Sequence, residues 1–146
     1  MKKNAFTLIE VLVFTTILNI FFVAVIAVSL AALRNIKFNE NKTLAARYAE
    51  ELESWLRSQK DSDWTIFTSQ GGNTYCFNTT PIGNIWPSAG ACSSNGLIPQ
   101  IYKREVSLTN SGSPPTSSSV LITVKWDDLG STRSVLIKTV FSIYER

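Results

Sequence analysis

Near its N-terminus the chain has a long apolar stretch that neither glycine nor proline interrupts. From Phe6 to Leu33 it has 28 residues, of which 22 are apolar and only Glu10 is charged. As a helix this stretch would be about 42 Å long, enough to cross a hydrocarbon core of roughly 30 Å. Its polar side chains can return their hydrogen bonds to the preceding helical turn or to a neighbouring helix. The stretch predicts a transmembrane helix, and it exceeds the apolar part of a cleaved secretory signal, which is about 7–15 residues long.

The helix is predicted to continue beyond this span. The first 70 residues contain no glycine and the first 80 no proline, so we expect one helix from about Phe6 to about Gln59, with the chain leaving it at 61–63. Its outer half has an apolar stripe, formed by Leu44, Tyr48, Leu52, Trp55 and Leu56. We interpret the stripe as a core contact rather than a coiled coil, which needs at least about three heptads of such a pattern.

The middle of the chain has the composition of loops. Residues 68–100 hold five of the seven glycines and three of the five prolines, with a short predicted strand around 75–78. Cys76 and Cys92 lie in this region. A disulfide between them would contribute roughly 3 kcal/mol in the chain-entropy model and would fit an oxidising compartment. Two free, buried thiols are the alternative.

The last third of the chain alternates like β-strands. Strands are predicted at 101–108, 120–126 and 135–144, with a turn at 127–131 and a surface loop at 110–119. The last two strands would form a hairpin. We therefore predict an α+β fold in which a long N-terminal helix packs on a small antiparallel sheet, the helical stripe covering its apolar face.

Several classes of function are disfavoured by composition. The chain has no histidine, which excludes Ser-His-Asp and Cys-His nucleophiles and imidazole metal sites, and two cysteines cannot form a four-thiolate zinc site. Asp127 and Asp128 are better interpreted as turn formers than as a calcium site. A net charge of +3 does not by itself indicate nucleic-acid binding. We expect no enzymatic activity, no metal and no cofactor.

Glu10 is the residue that needs a functional explanation. A carboxylate costs on the order of 2.5–3.5 kcal/mol at the centre of a span and less near the interface. It could lie at headgroup depth, favoured by the positive end of the helix dipole. Alternatively, it could have a partner within the membrane.

The N-terminal sequence resembles the cleavage and methylation signal of type IV pilins and type II secretion pseudopilins. The resemblance rests on the two-lysine leader, on 5–13 (AFTLIEVLV) and on the span that follows. It implies cleavage between Ala5 and Phe6 by a prepilin peptidase, methylation of the new amino terminus at Phe6, and retention of the span. It also implies that Glu10 meets the free amine of a neighbouring subunit during assembly. The family normally has glycine where this chain has Ala5, so we expect slower processing. The absence of proline from the span favours a minor pilin or a pseudopilin.

The resemblance also implies an organisation and a location. Residues 1–5 would be a leader, 6–33 the transmembrane and assembly helix, 34–60 its amphipathic continuation, and 61–146 a looped, β-rich globular domain. The expected partners are other pilin subunits, the prepilin peptidase, the inner-membrane assembly machinery and membrane lipid. The chain would be a single-pass protein of the cytoplasmic membrane, with its N-terminus in the cytoplasm, before it enters an extracytoplasmic filament.

Other functions fit parts of the same sequence. The span could simply anchor an extracytoplasmic binding module, which predicts no processing at Ala5. A competence minor pilin would contact DNA, but without Lys2 and Lys3 the chain has 12 basic and 11 acidic residues, so nucleic-acid binding is unsupported. A secreted enzyme behind a cleaved signal would lose the whole span. The sequence does not distinguish a pilus from a secretion pseudopilus.

Overall fold

The structure is a computed structural model that describes residues 7–93, 101–128 and 130–144. Two helices precede the sheet, α1 (Leu8–Ser62) and α2 (Trp64–Ser69). Four strands follow, namely β1 (Thr74–Cys76), β2 (Tyr102–Ser111), β3 (Ser117–Asp128) and β4 (Ser131–Ser142). The predicted α+β class is confirmed.

The long N-terminal helix is confirmed as one continuous element. It runs to Ser62 rather than ending near Gln59. No helix breaker occurs within it, which explains its continuity. The chain divides into two compact units, Met1–Glu40 and Asn41–Arg146, so α1 contributes to both.

A second helix, which is short, follows the end of α1, and the sequence pattern did not predict it. The side chain of Asp63 accepts a hydrogen bond from the backbone N–H of Ile66 at 2.9 Å and so caps the N-terminus of α2. Asp63 therefore begins a helix besides marking the end of the previous one. Phe67 of α2 is buried and stacks against Trp64 at 5.9 Å between ring centroids.

The sheet is an antiparallel meander in the order β1-β2-β3-β4. Its strands alternate as the sequence predicted, because one face is buried and the other faces solvent. The inward residues of β2 and β3 are buried, namely Tyr102, Arg104, Val106, Leu108, Ser118, Val120, Ile122, Val124 and Trp126. The predicted β3–β4 hairpin is confirmed, with Val120 opposite Thr139.

The prediction of a surface loop over 110–119 is wrong at both ends. Strand β2 continues through Ser111 and β3 begins at Ser117, which pairs with it. Backbone pairing needs no apolar side chain, so a run of serines can extend a hairpin whose register is already fixed. Ser118 is fully buried within this extension.

In the globular unit, the buried residues of α1 differ in part from the apolar stripe that the sequence predicted. Leu52 and Leu56 are buried as expected, whereas Leu44, Tyr48 and Trp55 are only half-buried. The fully buried line also includes Ala45 and Ala49. Large side chains of the sheet reach the helix at this level, since Tyr102 bonds to Asn41 and Arg104 bonds to the Tyr48 carbonyl. Small residues on the helix make room for them.

Candidate assembly surface and the anchors of the globular unit

No described residue of the chain covers the apolar half of α1. Residues 7–37 are all exposed, and the large apolar side chains between Leu8 and Leu33 are exposed by 41–83%. Soluble proteins rarely expose so large an apolar surface. α1 is also long and apolar enough to cross a membrane. This surface, residues 8–33, is the candidate assembly surface.

Three of the four polar residues predicted to bond to their own helix, Thr15, Thr16, Asn19 and Ser29, do so. The Thr15 hydroxyl donates to the Leu12 carbonyl at 3.0 Å, and the Thr16 hydroxyl donates to the Val13 carbonyl at 2.8 Å. The Ser29 hydroxyl donates to the Val25 carbonyl at 2.8 Å. These hydroxyls therefore need no water, which is what a lipid or helix-bundle environment requires.

A shallow apolar groove runs along one side of the assembly surface. It is lined by Phe21, Ala24, Val25, Val28 and Ser29. Between helices in a membrane, small residues allow close approach and bulky ones fill the space beside them. The groove has the shape that a neighbouring helix could occupy.

Glu10 lies in the first turn of α1 and is exposed. Its backbone N–H donates to the Thr7 carbonyl at 3.0 Å, so the carboxylate lies near the positive end of the helix dipole. Ala5 and Phe6, the predicted cleavage and methylation residues, lie outside the described residues. Cleavage, methylation and the assembly role of Glu10 all remain predictions.

The disulfide between Cys76 and Cys92 is confirmed, with their Cα atoms 4.9 Å apart. It closes the loop that leaves β1. Within this loop the centroid of the Trp86 ring lies 5.1–6.1 Å from those of four other aromatic rings, Trp55, Phe67, Tyr75 and Phe77. The loop is thus held at its ends by the covalent bond and in its middle by an aromatic cluster.

Arg104 is the principal buried polar anchor of the globular unit. Its side chain has 0% exposure. Its guanidinium donates to the Glu51 carboxylate at 2.8 Å and to the Tyr48 carbonyl at 2.9 Å, both on α1. It also donates to the carbonyls of Phe77 and Thr79 at 3.2 and 3.0 Å. One side chain of β2 therefore joins the helix and the disulfide-closed loop to the sheet.

The pKa of Arg104 is lowered by burial, and the Glu51 carboxylate partly offsets that effect. For Glu105, burial by itself favours the neutral acid. The hydrogen bonds from Lys125 Nζ at 2.8 Å and from the Cys92 backbone N–H at 2.9 Å outweigh it, so the pKa of Glu105 lies below its ordinary value. Neighbouring groups therefore favour the charged form of both side chains, and at Glu105 they outweigh the effect of burial.

Arg104 and Trp86 were not predicted as structural anchors, although the sequence pattern around Arg104 carried a usable signal. Arg104 occupies an inward position between Tyr102 and Val106 in a strand of period two, which marks it as a buried charge. Trp86 stands among Gly, Pro and Asn residues with no periodicity. Its place in the aromatic cluster follows only from the course of the loop.

Within residues 7–93, 101–128 and 130–144, no group of three metal-ligating side chains comes together. Asp127 accepts a hydrogen bond from the Thr132 hydroxyl at 2.8 Å across the β3–β4 turn. This bond fits its interpretation as a turn former.

No protein-family model, curated protein or solved structure matches the chain. A long N-terminal apolar helix packed on a small antiparallel sheet is the general architecture of type IV pilins.

Proposed function

We propose that the chain is a structural subunit, a minor pilin or pseudopilin, of a type IV pilus or a type II secretion-like filament. It would be inserted in the cytoplasmic membrane, cleaved after Ala5, methylated on Phe6 and assembled through residues 8–33. Its partners would be other pilin subunits, the prepilin peptidase, the assembly machinery and membrane lipid.

The observation that carries the proposal is the wholly exposed apolar half of α1, which continues unbroken into a segment with one face buried in the globular unit. A core helix of a soluble protein would be covered by its own chain. A cleaved secretory signal would not need to continue into the domain that it exports. A helix that first crosses lipid and then packs against neighbouring subunits accounts for both the exposure and the continuity.

Glu10 would then select the packing register. In the apolar interior of a helix bundle, an unpaired carboxylate is costly, and a nearby ammonium group favours its ionised form. The methylated amine of a neighbouring Phe6 would supply this ammonium group. Subunits that placed the amine elsewhere would leave two buried charges uncompensated.

Mass spectrometry of the mature protein tests the proposal. In cells that have a prepilin peptidase, we expect a chain that begins at Phe6 and carries one methyl group on that residue. Cells without the peptidase are the control and should yield the full-length chain. Ala5→Gly, which restores the residue usual in the family, should be processed faster.

An unprocessed N-terminus in peptidase-positive cells would contradict the proposal and favour a simple membrane anchor. A mature chain that lacks the whole span would indicate an ordinary secretory signal instead.

A further inference from the structure

The two edge strands of the sheet, β1 and β4, differ in whether another described segment lies beside them. Beside β1, Tyr75 forms an antiparallel bridge with Ala89, and the Gly90 N–H donates to the Thr74 carbonyl at 2.7 Å. The Cys76–Cys92 disulfide fastens this covering segment. At the opposite edge, no described segment other than β3 pairs with β4, which is 12 residues long. Among residues 7–93, 101–128 and 130–144, therefore, one edge of the sheet is covered and the other is open.

The register shows which backbone groups of β4 face outward. The Ile143 N–H donates to the Thr116 carbonyl at 3.2 Å, directly beyond the Ser117–Ser142 pair. In an antiparallel ladder, hydrogen-bonded pairs alternate along each strand. Because the register continues without a bulge, odd-numbered residues of β4 bond to β3 and even-numbered ones direct their N–H and C=O groups outward. The central outward residues are Ser134, Leu136, Lys138 and Val140.

The side chains of this edge are suited to contact rather than to protection. Leu136 and Val140 are 59% and 54% exposed on the face away from the helix. On the other face, Val135 and Ile137 are only half-buried. Natural proteins blunt an open edge with exposed lysines, proline, a bulge or an inward-pointing charge. Of these devices β4 has only basic side chains, Arg133 and Lys138, which disfavour another basic strand but not a strand that carries a carboxylate. β4 contains no proline, and its pairing has no bulge.

The charge of β4 indicates what kind of strand it fits. Its charged residues are Arg133 and Lys138, both basic, and it has no acidic residue. Lys138 is exposed, lies opposite Leu121, and forms no ion pair with any described residue. A second copy of β4 would bring further basic charge and no carboxylate. A carboxylate on a different strand would complement Lys138.

We propose that the open edge of β4 binds an extended segment of another protein by β-strand addition, with apolar residues in alternation and a carboxylate facing Lys138. Backbone hydrogen bonds to the outward residues would supply affinity, and the carboxylate would supply selectivity. This inference concerns the globular unit and goes beyond the proposed filament role. Its failure would leave the processing of Ala5 and Phe6 untouched.

The test uses the full chain in detergent micelles and two synthetic peptides. One is Thr-Ser-Val-Ile-Glu-Ile-Val-Ser-Thr, and the other has lysine in place of the glutamate. Both peptide sequences are palindromic, so each presents the same order of side chains whether it pairs parallel or antiparallel to β4. Backbone amide hydrogen exchange of β4 is followed by NMR. At about ten times its Kd, the glutamate peptide should slow exchange at Leu136, Lys138 and Val140 about tenfold. Odd-numbered amides, already bonded to β3, should change little.

Two variants separate the contributions of charge and backbone. Lys138→Glu should transfer the protection from the glutamate peptide to the lysine peptide. Val140→Pro removes an outward N–H without taking a bond from β3, and it should abolish protection by either peptide. Unchanged exchange at the odd-numbered amides verifies that this variant is folded.

Three results would overturn the proposal. The glutamate peptide could give no protection at its solubility limit. Both peptides could protect equally, which would remove the role of Lys138. The outward amides could become protected with rising protein concentration and no peptide, which would assign the edge to a second copy of the chain.

Discussion

Arg104 and Glu105 are adjacent in β2, but opposite faces of the sheet give them different roles. Arg104 points inward and is fully buried, so each of its hydrogen bonds replaces one that water would have provided. Glu105 points outward, where Lys125 and the Cys92 N–H hold its carboxylate. Both residues attach the disulfide-closed loop to the sheet, from its two sides.

Replacing Arg104 with Met should lower the free energy of unfolding by about 3 kcal/mol or more, since it leaves the Glu51 carboxylate and three carbonyls without their donor. Denaturant unfolding in detergent micelles measures this change. Arg47→Met, at an exposed position of α1, is the matched control and should change stability by less than about 0.5 kcal/mol. Equal effects of the two variants would contradict the anchoring role.

Glu105 should make the stability of the globular unit sensitive to acid. Its pKa is lowered in the folded state, so its contribution is present above the unfolded pKa and is lost as pH falls through the folded pKa. The loss should therefore begin below about pH 4.5, the ordinary value for glutamate. Glu105→Gln should lower the free energy of unfolding by about 1 kcal/mol at neutral pH. It should also make the free energy of unfolding less dependent on pH in this acid range. Unfolding curves recorded from neutral to acid pH test it, and an identical pH dependence of the two proteins would refute it.

At the scale of the elements, some helices and strands follow from the local sequence pattern, whereas others depend on long-range packing. The helix and the three long strands carry strong periodicity, and their positions were predicted to within a few residues. The short helix α2 and the extension of the β2–β3 hairpin were missed. Their residues are mostly Ser, Thr and aromatic, types that fit several backbone states, and the surrounding structure selects among those states.

Helix α2 should depend on its cap. Asp63→Ala removes the acceptor for the Ile66 N–H and should destabilise the protein by about 1 kcal/mol. Asp63→Ser keeps an oxygen at the same place and is the control, with an expected change near zero. Thermal unfolding of both variants, followed by near-UV circular dichroism of the aromatic cluster, measures the difference. Equal Tm values for the two variants would show that the cap contributes nothing.

At the scale of the whole molecule, the proposed filament role depends on two segments of α1 that differ in exposure. The segment at 8–33 is exposed and apolar, whereas the segment from Asn41 onward has one face buried within its own unit. The first therefore remains available for lipid or for neighbouring subunits, while the second holds the globular unit together. Changes in the first should affect assembly, and changes in the second should affect folding.

Glu10→Val should leave membrane insertion intact, because it makes the span more apolar, but it should reduce incorporation into filaments. Membrane fractionation and immunoblotting of sheared filaments measure the two outcomes separately. Asn19→Val, which also replaces a polar residue of the span, is the control and should assemble normally. Normal filament incorporation of Glu10→Val would rule out the assigned role of Glu10.

The sequence by itself determined the apolar span, the continuous helix, the alternating strands and the α+β class, because each depends on a local period or on the absence of breakers. It also favoured the disulfide between the only two cysteines. The tertiary structure decided which residues line the helix–sheet contact, how Arg104 is neutralised, where Trp86 lies and which sheet edge stays open. These features depend on contacts between residues far apart in the chain, where the approach of one element sets the space and the charge available to another.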